Sequence, residues 1–174
     1  MNSFKIGVLS DTHTKSDLQE VAINKLKSQG ANYLLHLGDL QLPCNLEHLA
    51  DANLPYAAVF GNNDYALSGM AKGFKIEKEP YYLKIKDTTI KMMHLPYYLS
   101  GDCDIVLYGH THKFSVEFKS GSLFLNPGEV CAREKNLSEC AIIEVNKSSY
   151  IVTHYYKEPN SSAWQSKEYK FLKD

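Results

Sequence analysis

Tyr108-Gly109-His110-Thr111-His112 sets two imidazoles one residue apart, directly behind a glycine, at the end of the apolar run Asp104-Ile105-Val106-Leu107-Tyr108. The run reads as a buried strand, and Gly109 lets the chain turn where the strand ends. Alternate side chains of an extended segment share a face, so His110 and His112 can surround one centre or serve two adjacent ones. A chance surface pair fits the five residues equally well, and the rest of the chain decides between the two readings.

Upstream, Lys5-Ile6-Gly7-Val8-Leu9-Ser10 is a short apolar strand ending in Asp11-Thr12-His13. A carboxylate and an imidazole thus stand at a carboxyl-terminal strand end, where open α/β sheets carry their chemistry. Ser16 and Gln19 resemble a capping box for a helix over Asp17–Gln29, whose apolar positions Leu18, Val21, Ala22 and Leu26 fall at helical spacing before Gly30. Tyr33-Leu34-Leu35-His36-Leu37 is a second strand ending in Gly38-Asp39, and the strand-helix-strand rhythm predicts a right-handed crossover in a parallel sheet. His36 lies inside that strand and is expected to be a hydrogen-bonded interior histidine. A helix around Asn45–Asp51 leads to a third strand, Pro55–Phe60, which ends in Gly61-Asn62-Asn63-Asp64.

The period then changes. Tyr81–Lys86 and Thr89–His94 flank Asp87-Thr88 as a hairpin that opens a second sheet, with His94 at its strand end before Leu95-Pro96. The segment Tyr97–Cys103 allows a turn or two of helix at most. Phe114–Lys119 and Ser122–Leu125 flank Ser120-Gly121 as another hairpin, followed by Asn126-Pro127-Gly128-Glu129. Cys140–Val145 and Tyr150–Tyr156 form a final hairpin, and the tail from Pro159 is expected to pack weakly.

A chain of 174 residues is long enough for one domain with a real core. With 44% hydrophobic residues and a net charge of -1, it matches neither a disordered chain nor a strong nucleic-acid binder. The first residues lack a signal-peptide pattern and no apolar run approaches the ~20 residues of a membrane helix, so a cytoplasmic protein is expected. Four cysteines, Cys44, Cys103, Cys131 and Cys140, form no CxxC pair and read as buried or idle reduced thiols. Oligomeric state is left open, a dimer included.

Asp11-Thr12-His13, Gly38-Asp39, Gly61-Asn62-Asn63-Asp64, His94 and Gly109-His110-Thr111-His112, in this order and each at a strand end, resemble the calcineurin-like metallophosphoesterase superfamily. The compact size and Asn126-Pro127-Gly128 are similar to its small YfcE-like phosphodiesterase branch. The resemblance runs over residues 4–155. It implies an α/β fold of two mixed β-sheets packed as a sandwich flanked by helices, the four-layer αββα metallophosphoesterase arrangement, in a single domain over residues 1–174 with a peripheral tail.

It also implies a site. Asp11, His13, Asp39 and His112 would bind one divalent ion, and Asp39, Asn62, His94 and His110 a second, with Asp39 bridging the two. Two cations about 3.5–4 Å apart need a shared anionic oxygen, neutral nitrogen ligands and open positions for water and phosphate. A hydroxide between them would attack a phosphate ester in line with the leaving oxygen. Asp39, Asn62, Asp64 and His94 are the implied catalytic residues, with turn capping as the alternative for Asp64. Asn63 and Arg133 are the implied substrate contacts, with a solvated loop arginine as the alternative for Arg133. Mixed Asp, Asn and His ligands suit Mn(II), Fe(II), Ni(II) or Zn(II) better than Ca(II), and the family favours manganese.

Two departures bear on the substrate, expected to be a small phosphodiester. Asn63 stands where many members have a histidine that protonates the leaving oxygen, and an amide cannot do so. His94 is followed by Leu95-Pro96 where the family commonly has glycine. A phosphomonoesterase on the same site is one alternative. A non-catalytic scaffold for protein partners, as in the retromer subunit of similar fold, is the other.

Overall fold

Strand β1 (Phe4–Leu9) alternates Phe4, Ile6 and Val8 toward one apolar core with Leu9 toward another, which makes it a strand covered on both faces. The computed structural model describes residues 3–173; Met1, Asn2 and Asp174, the ends of the expected 1–174 span, lie outside the described residues. Around β1 a seven-stranded mixed sheet forms in the order β12-β11-β10-β1-β2-β3-β4. Here β2 is Tyr33–His36, β3 Tyr56–Val59, β4 Ile76–Glu77, β10 Ser138–Val145, β11 Ser149–Lys157 and β12 Gln165–Leu172. Pairing is parallel from β1 to β4 and antiparallel from β1 through β12.

The second sheet has the order β5-β6-β7-β9-β8, with β5 Tyr81–Ile85, β6 Thr88–Met92, β7 Ile105–Leu107, β8 Ser115–Lys119 and β9 Ser122–Asn126. Its central strands β6, β7 and β9 run parallel, while β5 and β8 pair antiparallel at the edges. The two sheets face each other across a core of Ile6, Val8, Leu35 and Val59 against Ile90, Met92, Ile105, Leu107 and Leu125. This is the α/β sandwich of two mixed sheets that the sequence predicts.

Helices α1 (Ser16–Ser28) and α2 (Pro43–Asp51) cover the outer face of the larger sheet, where Leu18, Ala22, Ile23, Leu26, Leu46 and Leu49 pack on Leu9, Leu34, Ala58 and Ile142. Ile23 takes the buried place expected of Val21, which is 40% exposed. The expected capping box does not form: α1 has no side-chain cap, Ser16 Oγ lies 3.1 Å from Cys44 Sγ, and the buried Gln19 donates to the Asn45 carbonyl. The two-residue turn between β5 and β6 is Lys86-Asp87, one residue earlier than expected, with Ile85 opposite Thr88 and Lys86 at φ 52°. The tail also differs from expectation. Residues Gln165–Leu172 form β12 along β11, and Tyr169 and Phe171 pack against the central core.

Over the outer face of the second sheet the covering layer is the loop over residues 93–104 rather than a helix. Lys91 alternates with the core residues Ile90 and Met92 and so points outward, yet it is fully buried under that loop. Its ammonium group donates to the carbonyls of Tyr98 (2.8 Å) and Ser100 (3.0 Å) and to Ser100 Oγ (2.8 Å), and pairs with Asp102. A buried ammonium is tolerated where its three donors are all used. The substitution Lys91→Met keeps most of the stem and removes the donors, and should lower unfolding free energy by about 2 kcal/mol while making the loop a protease target. Denaturant unfolding and limited proteolysis that match the wild type would show that the loop is held by something else.

Candidate metal centre

The parallel strands β1, β2, β3, β6 and β7 all end on one side of the sandwich, and every expected ligand lies just past one of those ends. Backbone bonds tie the loops together there: Asp11 N–H donates to Gly38 O, His13 N–H to Asp39 O, Gly109 N–H to His94 O and Cys131 N–H to Asp11 O. Five of the seven expected ligands, Asp11, His13, Asp39, His110 and His112, have left-handed backbone with φ between 51° and 65°. Such a conformation costs an ordinary side chain roughly 1–3 kcal/mol and concentrates at functional sites.

The side chains converge. Asp39 Oδ2 lies 3.6 Å from His13 Nε2 and 3.4 Å from His94 Nε2. His94 Nε2 is 2.9 Å, and His110 Nδ1 3.1 Å, from Asn62 Oδ1. On the other flank His112 Nε2 is 3.2 Å from Asp11 Oδ1 and 3.5 Å from His13 Nε2. Among the described residues two clusters of potential metal ligands result, one containing Asp11, Asp39 and His94 and the other His13, His112 and Cys131, all buried.

Neighbouring groups aim these ligands. His94 Nδ1 donates to Leu37 O at 2.7 Å and His112 Nδ1 to the Glu129 carboxylate, so Nε2 is the atom each ring turns toward the cluster; burial works against the charged ring, but the carboxylates of Asp39, Asp11 and Glu129 raise both pKa values above the ordinary one. Arg133 Nη2 lies 3.1 Å from His112 Nε2. Burial disfavours the Asp39 carboxylate, but the His94 imidazole 3.4 Å away and hydrogen bonds from the Asn63 N–H and amide outweigh it and hold its pKa well below the usual range. Burial likewise works against Glu129, yet His112 and the Glu134 N–H bring its pKa down to about 2. His13 is pushed below its ordinary value by burial, which keeps its ring neutral.

Asp11 Oδ2 accepts from the Ser10 hydroxyl and the His110 N–H, whereas Oδ1 is buried without a hydrogen-bond partner. An orphaned carboxylate oxygen beside imidazole lone pairs is costly unless something positive satisfies it. This donor set of carboxylate, amide and imidazole therefore fits divalent cations.

Not every expected site residue faces the cluster. Asp64 spends both oxygens on backbone, accepting from Gln41 N–H and Gly61 N–H at 2.7 Å each, and so clamps two loops. Asn63 turns its amide onto Asp39 Oδ2 at 2.7 Å rather than toward open space. Arg133 borders a cavity of about 310 Å³ together with His13, Lys15, Gln41, Asn63 and Cys131. His36 is buried, donates from Nε2 to Thr12 Oγ1 at 2.8 Å and accepts the Gly38 N–H; burial takes its pKa down to about 3.

Four participants were not singled out from the sequence. Glu129 fixes His112, Cys131 lies 3.3 Å from Glu129, Glu79 accepts the N–H groups of His94 and Leu95, and Asn45 ties down the His13 carbonyl. Asn126 holds the Gly109 carbonyl and Thr111 Oγ1. For Glu129 the one available signal was its position directly after Asn126-Pro127-Gly128.

Comparison with known proteins accords with this geometry. A family model for the calcineurin-like phosphoesterase superfamily domain matches residues 4–148. The chain belongs to that superfamily. Phosphodiesterase MJ0936 of Methanocaldococcus jannaschii is 26% identical over 159 residues, spanning 84% of this chain and 96% of the relative. The probable metallophosphoesterase YsnB of Bacillus subtilis is 28% identical over 162 residues, 88% of this chain and 91% of the relative. Vacuolar protein sorting 29 from Cryptosporidium parvum shares the fold with a TM-score of 0.77 at 22% identity, covering 98% of this chain and 99% of that one. Among the described residues no helix is long and apolar enough to cross a membrane.

Gly109, directly before the histidine pair, has a steric reason in this chain. A Cβ on Gly109 would collide with Ser10 Oγ and stand 3.1 Å from the Leu37 carbonyl, so the β1, β2 and β7 ends could not close on one another. Gly109→Ala should cost about 3 kcal/mol of stability, read by thermal or denaturant unfolding. An alanine variant as stable as the wild type would contradict this close approach.

Proposed function

We propose that the chain is a metal-dependent phosphodiesterase with two cation positions. Asp11, His13, Asp39 and His112 would hold one ion and Asp39, Asn62, His94 and His110 the other. The observation that carries the reading is Asp39 Oδ2, within 3.6 Å of one histidine from each set and stabilised as an anion. The orphaned Asp11 Oδ1 and the name of the archaeal relative support it. When bound, two divalent cations supply positive charge against phosphate oxygens and acidify a water to a nucleophile near neutral pH. Manganese is preferred on family resemblance, with iron, nickel and zinc as alternatives.

The chain's own residues do the rest. His94 and His112 keep their Nε2 atoms presented because their Nδ1 protons are committed to Leu37 O and Glu129. Arg133 lies on the cavity wall beside His112, where its guanidinium would bind and orient the ester. Asn63 has no proton to give a leaving oxygen and is engaged with Asp39, so esters with good leaving groups should turn over fastest. Asp64 serves the site by clamping the loops that carry Asp39 and Asn62.

A scaffold reading draws on the exposed Tyr97, Tyr98 and Leu99 of the loop over the second sheet, an apolar face that a partner chain could cover. One assay separates the two readings. Purified protein with manganese should hydrolyse small phosphodiesters faster than phosphomonoesters, and Asp39→Asn should reduce turnover about 100-fold or more. No hydrolysis above a manganese-only blank would favour the scaffold, faster monoester cleavage the phosphomonoesterase, and an unimpaired Asp39→Asn would reject the shared carboxylate.

A further inference from the structure

We infer that Cys131 supplies a thiolate ligand to the cation position built on His13 and His112, so that this position selects a thiophilic ion such as zinc while its neighbour does not. The inference rests on the two-cation reading above and deepens it.

Donor atoms of His13, His112 and Cys131 all lie within 4.8 Å of one another and all three residues are buried. The orphaned Asp11 Oδ1 is aimed into the same space, 3.2 Å from His112 Nε2 and 3.9 Å from His13 Nε2, on a residue with no solvent exposure. That groups two imidazoles with one sulfur, and sets a carboxylate oxygen beside the imidazoles. Imidazole and thiolate donors suit zinc, and a soft thiolate favours zinc over manganese, which prefers oxygen. The donors of the second position are Asp39, Asn62, His94 and His110, with no sulfur among them. The pair is therefore chemically unequal.

The backbone supports the same placement. Cys131 N–H donates to Asp11 O at 3.1 Å, which binds the thiol-bearing loop directly to a ligand-bearing one. The Cys131 thiol rests 3.3 Å from Glu129 Oε2 and 3.9 Å from His112 Nδ1, and it opens on the cavity that Arg133 borders. Coordination would exchange the S–H bond for an S–cation bond, the proton leaving to solvent through that cavity.

Cobalt(II) is the probe, because a cobalt–thiolate bond gives a near-ultraviolet charge-transfer band that oxygen and nitrogen ligands do not. Titrating cobalt into the full chain should produce the band in the wild type, remove it in Cys131→Ser and leave it in Cys44→Ser. In chelator competition Cys131→Ser should lose about tenfold in zinc affinity while manganese affinity stays within about twofold. Cobalt bound without the band in the wild type, or a band that survives Cys131→Ser, overturns the inference and leaves the phosphodiesterase reading intact. Failure of the wild type to bind cobalt, zinc or manganese overturns both.

Discussion

Asp39 carries its carboxylate into the narrow space between His13 and His94, and Asn63 grips it from the side with both its backbone N–H and its amide. A buried anion is costly unless it is hydrogen-bonded and met by positive charge, and here the hydrogen bonds hold it ionised while the histidines converge on it. Much of the surrounding architecture serves this placement. A side chain on Gly61 would strike Asp39, with the Asp39 Cγ at 2.9 Å, so that loop can pass only as glycine. Asp64 then clamps the Gly61 loop to Gln41, two residues beyond Asp39.

The strands explain why such a cluster is affordable. Leu35, Leu37, Val59, Met92 and Leu107 anchor their strands in the core between the sheets, just before the chain reaches the ligands. Strain at Asp11, His13, Asp39, His110 and His112 is offset by the packing of the strands that precede them, where apolar burial is worth about 25 cal/mol per Å². Each ligand is thereby rigidly mounted, which limits the reorganisation that binding a cation would demand.

Strand ends were legible in the sequence because the signals are local: an apolar run followed by Asp, Asn or His reads the same with or without its partners. Asp39, His94 and the two histidines after Gly109 follow that rule, and they come together as the strand order requires. Residues whose roles depend on distant contacts did not announce themselves. Glu129 meets His112 across 17 positions and Glu79 meets His94 across 15, and a loop glutamate is by default solvated. Lys91 reads as an outward-facing strand lysine until the loop that buries it is in place. The last strand was hidden for a different reason: in Gln165–Leu172 one face is polar edge, and Tyr169 and Phe171 alone mark the face that packs on the core. The backbone partners of Asp64, Gln41 N–H and Gly61 N–H, are likewise not legible from its local sequence.

Electron paramagnetic resonance of the manganese-loaded protein tests the sharing of Asp39 most directly, since two ions held on one carboxylate are magnetically coupled. At two equivalents of manganese per chain the account predicts an exchange-coupled spectrum that gives way to isolated-ion signals in Asp39→Asn. Isolated-ion signals from the wild type at the same loading would contradict it.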